Sequence, residues 1–213
     1  VAGAEYAVVS GGNENSVTGA YSVVNGGDNL TASDPYDVQP PYSNIAGLTS
    51  YMSIDTTNNS ITFSGANINI ESGSGASDDN GSLTGLGNLV IGYNENDGSQ
   101  TKSGSHNLIV GPYHTYESYN GMAVGSTHTI SGAYASVSGG TNNTASGSGS
   151  SVSGGTDNTA SGNFSAISGG DGNTASGLAS SVSAGVDGTA SGGYAAISGG
   201  STGTASGDYS SIS

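Results

Sequence analysis

His114 and His128 are the pair most suggestive of chemistry. They head equivalent tripeptides, His114-Thr115-Tyr116 and His128-Thr129-Ile130. A fold that stacks these segments brings two imidazoles together, as a bound metal ion requires. The same slot is filled elsewhere by Asn15, Asn143, Asn158, Asn173, Gly188 and Gly203. Those residue types, with His, are enriched at positive φ, so turn residues are the expectation and no metal site is assigned. His106 has no counterpart in this series.

The carboxylates form no acid–base pair at a recognisable spacing. Asp78-Asp79-Asn80 and Asn94-Glu95-Asn96-Asp97-Gly98 carry oxygen donors of the kind that hold structural Ca²⁺. Neither has EF-hand spacing, and solvated loops are the simpler reading, so no cofactor is expected. Serine is too abundant for a chance Ser, His and Asp set to mean anything, and no nucleophile motif is present. The glycines precede no helix, which removes phosphate-binding loops. No catalytic residue is assigned, and the chain is read as a non-enzyme.

What must position all of these residues is a repeat. From Ser136 to Ser213 one phrase recurs every fifteen residues: Ser-Val-Ser-Gly-Gly, two variable residues, Asn-Thr-Ala-Ser-Gly, two variable residues, Ser. Val137, Val152, Ile167, Val182, Ile197 and Ile212 form one apolar series, and Ala145, Ala160, Ala175, Ala190 and Ala205 a second. In Ser136-Val137-Ser138 and Thr144-Ala145-Ser146 the apolar residue has polar neighbours on both sides, the period-two signature of a half-buried strand. Glycine turns separate the strands, so strand, turn, strand and turn make one coil. The expected fold class is all-β: a parallel β-roll or β-solenoid with coils of about fifteen residues stacked about 4.8 Å apart, plus an inserted strand-and-loop subdomain.

Composition narrows the partners. The 213-residue chain carries a formal charge of −15, one Lys plus Arg, 39 Gly and no Cys. Nucleic acid binding needs basic residues to neutralise phosphates, and Lys102 stands alone, so nucleic acid is excluded. No stretch is apolar and long enough to span a bilayer. The chain opens half-way through a coil and stops before a Gly-Gly, so a piece of a longer repeat array, or one unit of a stacked filament, is expected.

In chain order, residues 1–33 already follow the repeat, with Val9-Ser10-Gly11-Gly12 and Val24-Asn25-Gly26-Gly27 fifteen apart. Residues 34–87 interrupt it, starting with a proline-rich loop from Asp34 to Pro41 that forbids regular ladder bonding. Strands are expected at Met52-Ser53-Ile54, Ile61-Thr62-Phe63 and Ile68-Asn69-Ile70. Residues 88–135 resume the coils in an irregular, bulkier and better-packed form, with Tyr93 to Thr101 bulging out. Residues 136–213 are the regular roll. Its coils bury little, so association with identical chains, as a trimer or an end-to-end filament, is expected to stabilise it.

Two files point outward. Tyr134, Phe164, Tyr194 and Tyr209 lie three residues before the large apolar residue of their coils, as do Tyr6 and Tyr21. They either cover the thin core or stand exposed as a platform for sugar rings. Thr144, Thr159, Thr174, Thr189 and Thr204, each followed two residues later by serine, form a flat grid of hydroxyl and methyl groups. Ordered water at an ice surface could match such a grid, and any solvent-facing strand of a low-complexity roll has the same look.

Ser-Val-Ser-Gly-Gly at Ser136–Gly140 with Thr-Ala-Ser-Gly at Thr144–Gly147 resembles the head repeats of bacterial trimeric autotransporter adhesins. The resemblance covers Val1 to Ala32 and about Asn88 to Ser213. It implies left-handed parallel β-rolls that associate in threes and bind host or matrix surfaces. The run from Ile61-Thr62-Phe63 to Tyr93-Asn94 is similar to segments of repeat-rich bacterial surface proteins. The Asn-Thr-Ala-Ser-Gly units also resemble the rolls of plant ice-binding proteins. The expected function is therefore an extracellular structural or adhesive module of a bacterial surface fibre, with glycan or cell-surface ligands; the alternative is an ice-binding protein using the threonine file.

Overall fold

A computed structural model describes residues 2–25, 30–33, 35, 38–39 and 48–213. The chain forms two compact units, Val1–Ile68 and Asn69–Ser213.

The second unit is a parallel β-solenoid of coils about fifteen residues long. One wall is a nine-stranded sheet, here the valine sheet. It runs from Leu89–Ile91 through Leu108–Val110, Met122–Val124 and Ser136–Val137 to Ser211–Ile212. The other wall is a seven-stranded threonine sheet from Thr115–Tyr116 to Thr204–Ala205. Register follows the repeat: Val137 pairs with Val152, Val152 with Ile167, Ala145 with Ala160, and so on to the last coil. Leu108 pairs with Met122 fourteen residues on, and Leu89 with Leu108 nineteen on, the extra length forming the Tyr93–Thr101 loop.

Each coil is thin because its walls each send one side chain inward. Val137, Val152, Ala145 and Ala160 are fully buried, and from Val137 on the core is a file of valine or isoleucine facing a file of alanine, while in the earlier coils Ile109 and Ala123 face Tyr116 and Ile130. A buried Val contributes about 1.5–3 kcal/mol. The rest of the cohesion comes from backbone ladders, such as Thr144 N–H to Asn158 O at 2.8 Å and Ser146 N–H to Ala160 O at 2.9 Å.

Stacking also decides which glycines matter. A Cβ built at Gly155 would overlap the carbonyl oxygen of Gly170, and one at Gly147 that of Gly162. Gly155 is further required by its φ of 88°. Gly154, its neighbour, has open space at Cβ. The equivalent position holds Ala184.

The first unit repeats the roll on a smaller scale. Val8–Val9, Val23–Val24 and Val38–Gln39 form one parallel sheet, and Ser16–Val17 pairs with Thr31–Ala32. Val17, Val24 and Ala32 are its core. The roll thus continues one strand past the expected break: Val38–Gln39 pairs between Pro35 and Pro40, where prolines were expected to forbid ladder bonding. Asp34, Tyr36, Asp37, Pro40 and Pro41 of that loop lie outside the described residues, as do Gly26 and Gly27. Met52–Asp55 and Ser60–Phe63 then form an antiparallel hairpin. Asp55 closes its turn by accepting from the Thr57 and Asn58 amides at 2.9 and 3.1 Å. The strand expected at Ile68-Asn69-Ile70 does not form: those residues are exposed and without ladder partners.

Candidate functional site

The turn after the threonine sheet carries the aromatic file, one residue per coil at positive φ. Tyr134, Phe164, Tyr194 and Tyr209 have φ of 58–61°, and Tyr6 and Tyr21 of the first unit have 58° and 60°. Left-handed backbone aims the side chain away from the coil interior. The rings of Tyr134, Phe164, Tyr194 and Tyr209 are accordingly 52–76% exposed, so they do not cover the core. Neighbouring rings lean on one another: Tyr194 and Tyr209 have centroids 5.1 Å apart and are nearly parallel, as are Tyr6 and Tyr21 at 5.0 Å. Tyr119 meets Tyr134 edge-on at 5.3 Å. A hydrogen bond to Tyr134 pushes the Tyr119 phenol up from its ordinary pKa.

The threonine file is longer than the repeat alone suggests. Thr115 and Thr129 pair in register with Thr144, so the column runs through Thr159, Thr174, Thr189 and Thr204 without interruption across all seven strands. It persists where coil length changes from fourteen to fifteen. On the valine sheet the outward positions change character instead. Leu89, Leu108 and Met122 stand in one outward column and Ile91, Val110 and Val124 in another, before Ser136 and Ser151 take over. The core series lies where its pattern placed it, with Val137, Val152, Ile167, Val182 and Ile197 buried and Ile212 partly buried.

Unlike His106, which has a φ of 55°, His114 and His128 are not turn residues at positive φ. That conformation belongs to the residue before each of them, Tyr113 and Thr127, and likewise to Asn142 and Asp157. His114, His128, Asn143, Asn158 and Asn173 point inward and are fully buried. Together they form an internal polar column. Asn158 N–H donates to Asn143 Oδ1 at 2.9 Å, while Asn143 Nδ2 donates to Gly139 O and Gly155 O at 3.2 and 2.9 Å. The imidazoles reproduce this pattern. His128 N–H donates to His114 Nδ1 and Asn143 N–H to His128 Nδ1, both at 3.1 Å. That leaves the proton on Nε2, which donates to Val110 O and Val124 O respectively, also at 3.1 Å.

The two rings stack with centroids 5.2 Å apart. Burial pushes both imidazoles down, His128 to about 4 with His114 adding to the effect. Both nitrogens of each ring are engaged, which supports a structural role rather than ligation. Asn15 plays the same part in the first unit, accepting from Leu30 N–H at 3.0 Å. A second inward column, Ser150, Ser165 and Ser180, buries hydroxyls without a protein partner. Ala135 and Ala195 fill the same place, so the fold does not require the hydroxyl.

Of the two acid-rich loops, Glu95 to Gly98 is solvent-exposed as expected, whereas the first buries one carboxylate. Asp79 is 4% exposed and accepts from the Ser105 hydroxyl at 2.5 Å, the Ser74 hydroxyl at 2.7 Å, the Ser72 hydroxyl, and the Thr84 amide and hydroxyl, both at 2.7 Å. The Ser105 and Ser72 hydroxyls above all hold its carboxyl well below the usual carboxylate range. Its lone pairs are committed to these donors, which tie loop 72–84 to the first coil. Asp97 caps its own loop through Ser99 N–H at 3.0 Å. Lys102 Nζ pins the same loop by donating to Asn94 O and to Glu95 O, the latter at 2.9 Å. Among the described residues no three His, Cys, Asp or Glu side chains gather as a metal site, and no helix is long and apolar enough to cross a membrane.

Fold and surface together define a parallel β-solenoid repeat protein that displays ordered side-chain files on its turns and faces. No protein-family model matches the chain, and no curated protein is similar to it in sequence.

Proposed function

We propose that this chain is a non-catalytic structural and adhesive module of a bacterial surface fibre, acting outside the cell. The observation that carries this is the exposed aromatic file. A non-glycine residue in left-handed backbone costs about 1–2 kcal/mol. The slot accepts Gly149 and Ala179, so the fold does not need a ring there. Rings kept at that cost and turned to solvent are suited to contact with another surface. The likeness of the Ser-Val-Ser-Gly-Gly and Thr-Ala-Ser-Gly units to adhesin head repeats supports the same reading. Association of identical chains, as trimer or filament, belongs to the proposal. The outward columns led by Leu89 and Ile91 on the valine sheet offer an uncharged contact on an otherwise acidic protein.

The test is adhesion of beads coated with the chain to host-cell and extracellular-matrix surfaces, alongside a solution mass measurement. Replacing Tyr194 and Tyr209 with Ala should reduce adhesion without unfolding the chain, since Ala179 already occupies the slot. Equal adhesion by the double variant would remove the aromatic file from the mechanism.

The unbroken threonine column favours a second reading, ice binding, because matching a crystal face needs an uninterrupted flat grid. Thermal hysteresis in the wild type, lost on Thr174→Tyr, would establish it in place of the first.

A further inference from the structure

From the spacing of the aromatic file we infer that it binds an extended, neutral β-1,4-linked hexose polymer. This rests on the adhesive reading above and names its ligand class. In the regular roll the slot reads Tyr134, Gly149, Phe164, Ala179, Tyr194, Tyr209, so the rings of Tyr134, Phe164 and Tyr194 alternate with small residues and Tyr209 closes the file, stacked on Tyr194. A Cβ built at Gly149 would come within 3.0 Å of Phe164 Cδ1 and 3.2 Å of Cε1. The Phe164 ring therefore leans back over the preceding turn and occupies the room that Gly149 leaves, with the side chain 66% exposed. Rings on alternate coils recur at two coil rises, about 10 Å.

That length is close to the two-sugar repeat of a straight β-1,4-linked chain. Successive sugars in such a chain are turned over, so the same C–H face returns at every second ring. Apolar C–H faces of sugars stack on aromatic rings, and one ring per disaccharide holds a straight chain in register with the coils. An α-1,4-linked chain curls and a β-1,3-linked chain twists, so neither keeps this match. The charge of −15 with a single Lys or Arg disfavours anionic polymers. Ser148 and Asn163, beside the rings, are uncharged hydrogen-bonding residues of the kind that meet sugar hydroxyls.

The experiment is depletion of the full chain from solution by microcrystalline cellulose and by colloidal chitin, with insoluble starch and a β-1,3-glucan as controls. The wild type should bind the β-1,4 polymers and not the controls. Phe164→Ala should weaken binding by about tenfold. A second variant, Gly149→Phe with Phe164→Gly, keeps the number of rings in a slot that tolerates both residues but breaks the two-coil spacing, and should lose as much. Unchanged binding by either variant overturns the inference. Wild-type adhesion to cell or matrix surfaces with no binding to either β-1,4 polymer overturns the glycan assignment and leaves the adhesive reading standing. Loss of both kinds of binding overturns both.

Discussion

Replacing His114 and His128 together by Asn should remove an acid sensitivity from the solenoid while keeping its hydrogen bonds. In the wild type each Nδ1 faces a backbone N–H, so protonation sets donor against donor inside a buried column. His128 titrates at about 4 when folded, against an ordinary value of 6.5. Because the folded value is depressed, the neutral column is fully stabilising above pH 6.5, and stability falls as the pH drops from 6.5 towards 4. The shift of His128 alone sets a ceiling of about 3 kcal/mol. Water entering a thin coil screens the charge, so about 1–2 kcal/mol is the working expectation.

Asn supplies the same donor and acceptor, as Asn143 and Asn158 do. It is smaller than His, so the double variant should start about 1 kcal/mol less stable at pH 7.5. Its stability should then stay level down to about pH 4.5, below which carboxylates protonate in both proteins. Urea unfolding at pH 7.5, 6.0, 5.0 and 4.5 measures both curves. An identical decline in the variant would refute the assignment of this acid sensitivity to the column, and collapse at pH 7.5 would refute the equivalence of imidazole and amide.

Val152→Asp should cost at least about 3 kcal/mol by burying a carboxyl among apolar groups, whereas exposed Ser153→Asp should be nearly neutral; limited proteolysis and melting compare them, and equal behaviour contradicts the assignment of faces. Gly155→Ala should destabilise by about 1–3 kcal/mol through collision with the next coil, while Gly154→Ala should be neutral or stabilising by up to about 1 kcal/mol; thermal melts that rank them the other way would refute the stacking constraint. Asp79→Asn leaves its fixed amide and hydroxyl donors poorly matched, so loop 72–84 should exchange amide hydrogens faster than it does in an Asp97→Asn control, and equal protection would contradict the role of that carboxylate in tying the loop down.

The fifteen-residue period determined the coil, the strand pairs and the inward valine and alanine files, because inter-coil pairing in register makes sequence period and structural period the same quantity. The sequence by itself also singled out the aromatic slot, but not which way the rings face: that depends on the sign of φ at Tyr134 and its equivalents, which residue type alone does not set. The slot of His114, His128 and Asn143 was legible as a series and misplaced as a turn, one residue out of register. Only the folded coil shows that Asn142 takes the left-handed backbone and Asn143 turns inward to meet the carbonyls of its own and the next coil. The fourteen-residue step at Leu108–Met122 and the enclosure of Asp79 by Ser72, Ser74, Thr84 and Ser105 lie further from local pattern. In the Asp79 cluster the partners are up to 26 residues apart and outside the repeat, so only the tertiary structure brings them together.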